Sequence, residues 1–180
     1  MIRSVLPVVV VGLVLAGCTT TTPGDPSATG GPATTTDSPQ ESTTTSSATP
    51  GGDELADFDS CAELTAVAGQ FDLSRIEKTG KLDCEARWGQ TTTKVSINVF
   101  PTLGLGDVTL GPNSKASDVQ IGARQAKRVE AVLTTTDCTY AVEITPKSRV
   151  DFFGASTASS AEACDAAKQL ATAVEPKLPE

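Results

Sequence analysis

The sequence predicts an α+β fold: an antiparallel β-sheet with N- and C-terminal helices packed on it and two disulfides. Three observations carry that expectation. Several segments alternate apolar and polar residues with the period of two that half-buried strands require. Helix-start signatures open and close the stretch, giving the order helix, strands, loop, strands, helix of an α+β domain. Four cysteines, Cys61, Cys84, Cys138 and Cys164, are spread across those elements.

The first helix is expected to start at Ser60 as N-cap, with Glu63 three residues on completing a capping box and Gly69 stopping it. Cys61, Leu64 and Val67/Ala68 recur at helical spacing and face a core. Strands follow. Cys84, Ala86 and Trp88 share one face against Glu85 and Arg87, and Val95, Ile97 and Val99 lie opposite Ser96 and Asn98. Cys138, Tyr140, Val142 and Ile144 alternate with Thr139, Ala141 and Glu143, the pattern of an antiparallel sheet with one covered face.

Residues 101–117, rich in glycine and containing Pro112-Asn113, read as a long surface loop. Residues 126–133 read as a strand, although the same residues also fit a helix. Pro146-Lys147-Ser148 is expected to join the cysteine-bearing strand to residues 149–153 as a hairpin. Phe152 and Phe153 are consecutive, so one ring faces each side of that strand. The closing helix takes Ser159 as N-cap and Glu162 for its box. Cys164, Ala167, Ala171, Val174 and Leu178 run down one side, and Pro176 ends or kinks the last turn.

Upstream of this domain (53–180) stand two other segments. Residues 1–17 carry one positive charge and then an apolar run that leads into Leu15-Ala16-Gly17-Cys18. The run is shorter than the ~20 residues that a membrane-crossing helix needs. A plain secretory signal shares the small residues at the cut site. The cysteine directly after Leu-Ala-Gly instead resembles the lipobox of bacterial lipoprotein signal peptides at every position. The resemblance implies a diacylglyceryl group on Cys18 and a lipid-anchored chain on the extracytoplasmic face of the cell membrane. Residues 18–52 hold no Val, Ile, Leu or aromatic residue. Such a stretch cannot bury enough apolar surface to offset its ordering entropy, so it reads as a disordered Thr/Ser/Pro-rich tether with a typical reach of about 30 Å. Its composition is also that of stalks carrying O-linked sugars.

The chain has 14 basic and 22 acidic residues. Removal of 1–17 takes Arg3 and leaves a net charge of −9, which argues against nucleic acid and anionic lipid as partners. With Cys18 lipidated, an even four cysteines remain in an exported chain, for which disulfides are the ordinary state. Four cysteines admit three pairings. Cys61–Cys84 and Cys138–Cys164 are the pairs expected, each stapling a terminal helix to a neighbouring strand. Closing each loop contributes about 3–3.5 kcal/mol.

The sequence holds no histidine, which removes Ser-His and Cys-His catalysis and mixed Cys/His zinc sites. Adjacent Lys147 and Ser148 read as turn chemistry, and the acidic residues are scattered. No catalytic residue, cofactor or metal site is expected. Three residues are candidate ligand contacts. Trp88, the single indole, can stack on a sugar, although packing against a disulfide is the plainer reading. Arg124 and Arg128, with Lys127, form a basic cluster suited to an anionic envelope glycan or lipid, or to guarding an edge strand.

The skeleton resembles the actinobacterial exported lipoproteins of the domain of unknown function 3558 family. The resembling pieces are the lipobox, the tether, and Asp59-Ser60-Cys61-Ala62-Glu63-Leu64 at the domain start. Cys84-Glu85-Ala86-Arg87-Trp88, Gly122-Ala123-Arg124-Gln125-Ala126, Cys138, Cys164-Asp165-Ala166-Ala167 and a Leu178-Pro179 ending complete it. The match covers residues 57–179. Ser60 departs from the Pro or Asp that the family commonly shows before its first cysteine. The resemblance implies no activity and no catalytic residues. Extracellular sensor domains of actinobacterial kinases are similar at the level of fold alone. The expected function is a non-enzymatic binding or interaction domain of the cell envelope, whose partner is an envelope protein or a small ligand. The alternative is an assembly accessory of an envelope membrane complex or a sensor-like module.

Overall fold

Alternating residues build the middle of the sheet. The computed structural model describes residues 54–180; the segments expected to be a signal peptide (1–17) and a tether (18–52), Cys18 included, lie outside the described residues. Seven strands form one antiparallel sheet: β1 (Ser74–Lys78), β2 (Cys84–Arg87), β3 (Lys94–Phe100), β4 (Lys115–Ile121), β5 (Arg124–Glu130), β6 (Asp137–Thr145) and β7 (Ser148–Ala155). Two helices, α1 (Ser60–Phe71) and α2 (Ser160–Val174), pack on it.

The strands lie in the order β1-β2-β3-β7-β6-β5-β4. Two up-and-down runs, β1–β3 and β4–β7, meet where β3 pairs with β7 from Lys94↔Ala155 to Phe100↔Arg149. The register places Cys84, Ala86, Val95, Ile97, Val99, Val150, Phe152, Tyr140, Val142 and Ala126 on one face, and all are buried there. Both helices cover that face. α2 lays Ala163, Cys164, Ala167, Leu170, Ala171 and Val174 on it. Its alanines bring it close to β7, where a Cβ on Gly154 would overlap the carbonyl of Ala163. The bridges are Cys61–Cys84, with Cα atoms 5.2 Å apart, and Cys138–Cys164, 4.9 Å apart. These are the expected pairs, each tying a helix to a strand.

Joining the two runs requires a long connection. From β3 to β4 the chain passes β7, β6 and β5, about 19 Å at the usual ~4.8 Å between strands. Residues 101–114 make that crossing over the face without helices and contain a short 3-10 turn at Leu105–Asp107. Arg149 Nη1 on β7 donates to the carbonyls of Leu103 (3.2 Å) and Gly104 (3.0 Å), and Lys127 Nζ on β5 donates to that of Leu105 (3.4 Å). The far end is tied by Ser114 Oγ, which donates to Ala131 O at 2.9 Å. Thr139 and Ala141, expected to face solvent, are buried on this face.

Several local expectations are corrected. Asp59, not Ser60, caps α1, its carboxylate accepting from the amides of Cys61 and Ala62. Ser60 is buried because its hydroxyl donates to Leu82 O, and Glu63 pairs with Lys177 at 3.1 Å instead of closing a box. Gly69 does not stop the helix, which runs two residues further until Asp72 takes a left-handed conformation, φ 51. Residues 101–117 are not all loop, since β4 begins at Lys115, and β1 was not foreseen at all. The ambiguous segment is a strand, β5, which ends at Glu130 rather than 133. At the other end, Ser159 caps α2, accepting from Glu162 N at 3.1 Å, while the Glu162 carboxylate accepts from Thr93 Oγ1. α2 stops at Val174, where Glu175–Lys177 tighten into a 3-10 turn around Pro176.

Candidate functional site

The three residues singled out from the sequence take structural positions. Trp88 is half-buried, its ring stacked on Phe71 of α1 with centroids 4.5 Å apart and planes at 24°. Arg124 ties down the C-terminal segment. Its Nη2 donates to Leu178 O (3.1 Å) and Pro179 O (2.7 Å), and its Nε lies 3.5 Å from Glu175. Arg128 pairs with Glu130 at 3.0 Å and reaches Cys164 Sγ at 3.4 Å. Alternation sends Lys127 to the opposite face of β5, so the basic cluster is divided rather than presented as one patch. The Ser148 hydroxyl is buried and shares a 2.8 Å hydrogen bond with Thr145 Oγ1, while Lys147 is exposed. Among the described residues no group of three or more His, Cys, Asp or Glu could hold a metal ion. No helix among them is long and apolar enough to cross a membrane.

Under the crossing loop lies a polar interior. Arg149 Nε donates to Asp151 Oδ1 at 2.8 Å, and the guanidinium sits 4.1 Å over the Phe100 ring. Both side chains are nearly removed from water, at 5% and 12% exposure. Burial pushes the Asp151 carboxyl above its ordinary value, and the Arg149 charge and hydrogen bond counter only part of that. A native pKa above the unfolded one means that the native state holds the proton more tightly. Stability from this group is therefore full below the unfolded pKa and is lost as pH rises through the native one. In urea unfolding from about pH 3.5 to 7, the stability of the natural protein relative to Asp151→Asn is expected to decline above about pH 4, the usual Asp value, and then level. A relative stability that grows with pH in that window would refute it.

The crossing loop leaves open the end of the sheet where β2 turns into β3 and β5 into β6. There a groove of about 440 Å³ is lined by Arg87, Thr92, Lys94, Thr134, Thr136, Ala155, Ser156 and Thr157. A smaller depression of about 90 Å³ adjoins it through Arg87 and Lys94 and adds Arg75, Glu77 and Glu85. Its walls are set by hydrogen bonds. Thr92 and Thr157 hydroxyls bond each other, Ser156 Oγ accepts from Ala158 N at 3.0 Å, and Lys94 lies 3.4 Å from Glu85.

One wall is held by Asp137, fully buried at the start of β6. Its carboxylate accepts from the amides of Val132 (2.7 Å), Leu133 (2.8 Å) and Thr134, gathering three consecutive donors as a backbone nest does. Ala131 enters that loop at φ 57. The result is a fixed loop that puts Leu133 into solvent, 78% exposed, beside the groove.

Sequence reading missed Arg75, Arg87 and Asp137. Arg87 was visible as the outward neighbour of Ala86. Asp137, directly before Cys138, carried no signal of burial. Comparison with protein-family models, curated proteins and solved structures returns no match.

Proposed function

We propose that the chain is an exported lipoprotein of the domain of unknown function 3558 type. A lipid on Cys18 anchors it to the extracytoplasmic face of the cell membrane, and its domain is a non-enzymatic binding module of the cell envelope. The lipobox and the ordered cysteine motifs support the class. The observation that carries binding is the open end of the helix-free face, where cationic and hydroxyl side chains meet in a groove with fixed walls. Rigid positioning of this kind is what recognition sites need. A second reading, an accessory that docks on an envelope membrane protein or serves as a sensor-like module, is favoured by Leu133 alone. The Asp137-held loop presents that side chain at 78% exposure, an apolar contact available to a protein partner.

Two measurements test the proposal. Expressed in an actinobacterial host with labelled palmitate, the natural chain is expected to take up label and Cys18→Ala is not. An unlabelled natural chain would overturn the anchor. A photocrosslinker at Thr136, on the groove wall, should give a discrete adduct in intact cells, whereas one at Thr172 on α2 should not. Equal labelling at both sites, or none at either, would count against the groove.

A further inference from the structure

Arg75 lies in an edge strand with φ 53, a left-handed conformation that side chains bearing a Cβ avoid. Its neighbour Ser74 pairs with Arg87, so in an unbroken ladder Arg75 and Arg87 would face opposite sides of the sheet. The register shifts between Ser74 and Glu77, and Arg75 instead lines the same depression as Arg87. Lys94 beside them is engaged by Glu85, but neither arginine side chain has a hydrogen bond or ion pair among the described residues. Strained backbone, of the kind that clusters at ligand clamps, thus sets two arginines unpaired among the described residues in one depression, where Lys94 answers Glu85 and Glu77 is the remaining carboxylate.

We infer, resting on the binding-module reading, that this end of the sheet binds an anionic saccharide, with an oxyanion of the sugar held by Arg75 and Arg87 and its hydroxyls along the threonine wall. The planar guanidinium fork matches carboxylate and phosphate oxygens two at a time. Hydroxyl side chains both donate and accept, as the hydroxyls of a sugar ring do. The strand-end groove offers Thr92, Thr134, Thr136 and Thr157 for that purpose. The oxyanion is assigned to a glycan chain because the threonine and serine wall continuous with the arginines matches the hydroxyls of a sugar ring.

Calorimetric titration of the full chain with trigalacturonate, with phosphorylated maltotriose and with neutral maltotriose tests the assignment. At least one anionic sugar should bind tenfold or more tightly than the neutral one, and the difference should shrink with added salt. Arg75→Gly is the decisive variant. Glycine adopts φ 53 freely, so its Tm should rise by about 2–4 °C while affinity for the anionic sugar falls at least tenfold. Arg87→Gln should lose affinity equally. Retained affinity in both variants would overturn the assignment. So would equal binding of neutral and charged sugars, or binding to phosphatidylinositol vesicles alone. Should the sugars fail while the Thr136 crosslink forms, the ligand class falls and the binding module stands; failure of both removes both.

Discussion

Asp137→Ala is expected to lower unfolding stability by about 3 kcal/mol. The carboxylate is fully buried and accepts from the amides of Val132, Leu133 and Thr134, all of which lose a charge-assisted bond together. Part of the loss is recovered because Leu133 and Thr134 are exposed and their amides can reach water. Asp137→Asn keeps the shape but turns one acceptor into a donor facing donors, and should cost about 2 kcal/mol. Urea unfolding reads the total. Hydrogen exchange at the three amides should quicken by about a hundredfold in the alanine variant, since local opening tracks the lost free energy. Unchanged exchange there would show that the loop is held by something else. Because Thr134 and Thr136 wall the groove, the same variant should also loosen the proposed sugar site.

Removing the second bridge comes next in size. Cys138→Ala with Cys164→Ala frees a loop of sequence separation 26, which the chain-entropy estimate puts at about 3.5 kcal/mol. For a domain of this length that corresponds to a fall in Tm of roughly 10 °C. The bridge also fixes α2 over β6, where Cys138 is fully buried and Cys164 is 4% exposed. The alanine pair therefore leaves an underfilled core in addition to the freed loop. Calorimetry of the oxidised natural protein against the double variant measures the difference. A fall of under 2 °C would mean that the unfolded chain is already restricted there.

What the sequence made legible follows from coverage. β2, β3 and β6 were readable because helices cover one of their faces, which enforces alternation in Ala86, Val95, Ile97 and Tyr140. β1 and β4 are the two edges of the sheet, largely exposed on both sides, so Ser74–Lys78 and Lys115–Ile121 carry no such pattern. Thr139 and Ala141 misled for the reverse reason, since their second cover is an irregular crossing loop whose path no periodicity encodes. Near the first cap, Asp59 and Ser60 are both good cap residues, and the choice was made by Leu82, whose carbonyl draws the serine hydroxyl inward. The candidate site was the least legible part. Arg124 and Arg128 advertise themselves by proximity in sequence, yet each is engaged by its own partner. Arg75 and Arg87 are separated by a helix-free turn and brought together only by a bulge.

The bridges carry one more consequence, for how the molecule is made. Among the three pairings of the domain's four cysteines, the one present joins each to its neighbour in sequence, Cys61 to Cys84 and Cys138 to Cys164. In the export proposed above, the chain would emerge N-terminus first into an oxidising compartment and meet those partners in that order. Cys61 and Cys84 can close before Cys138 has appeared, and Cys138 then finds both earlier thiols already spent. Oxidation in order of arrival therefore yields the native connectivity without reshuffling, so maturation should require an oxidant but no disulfide isomerase.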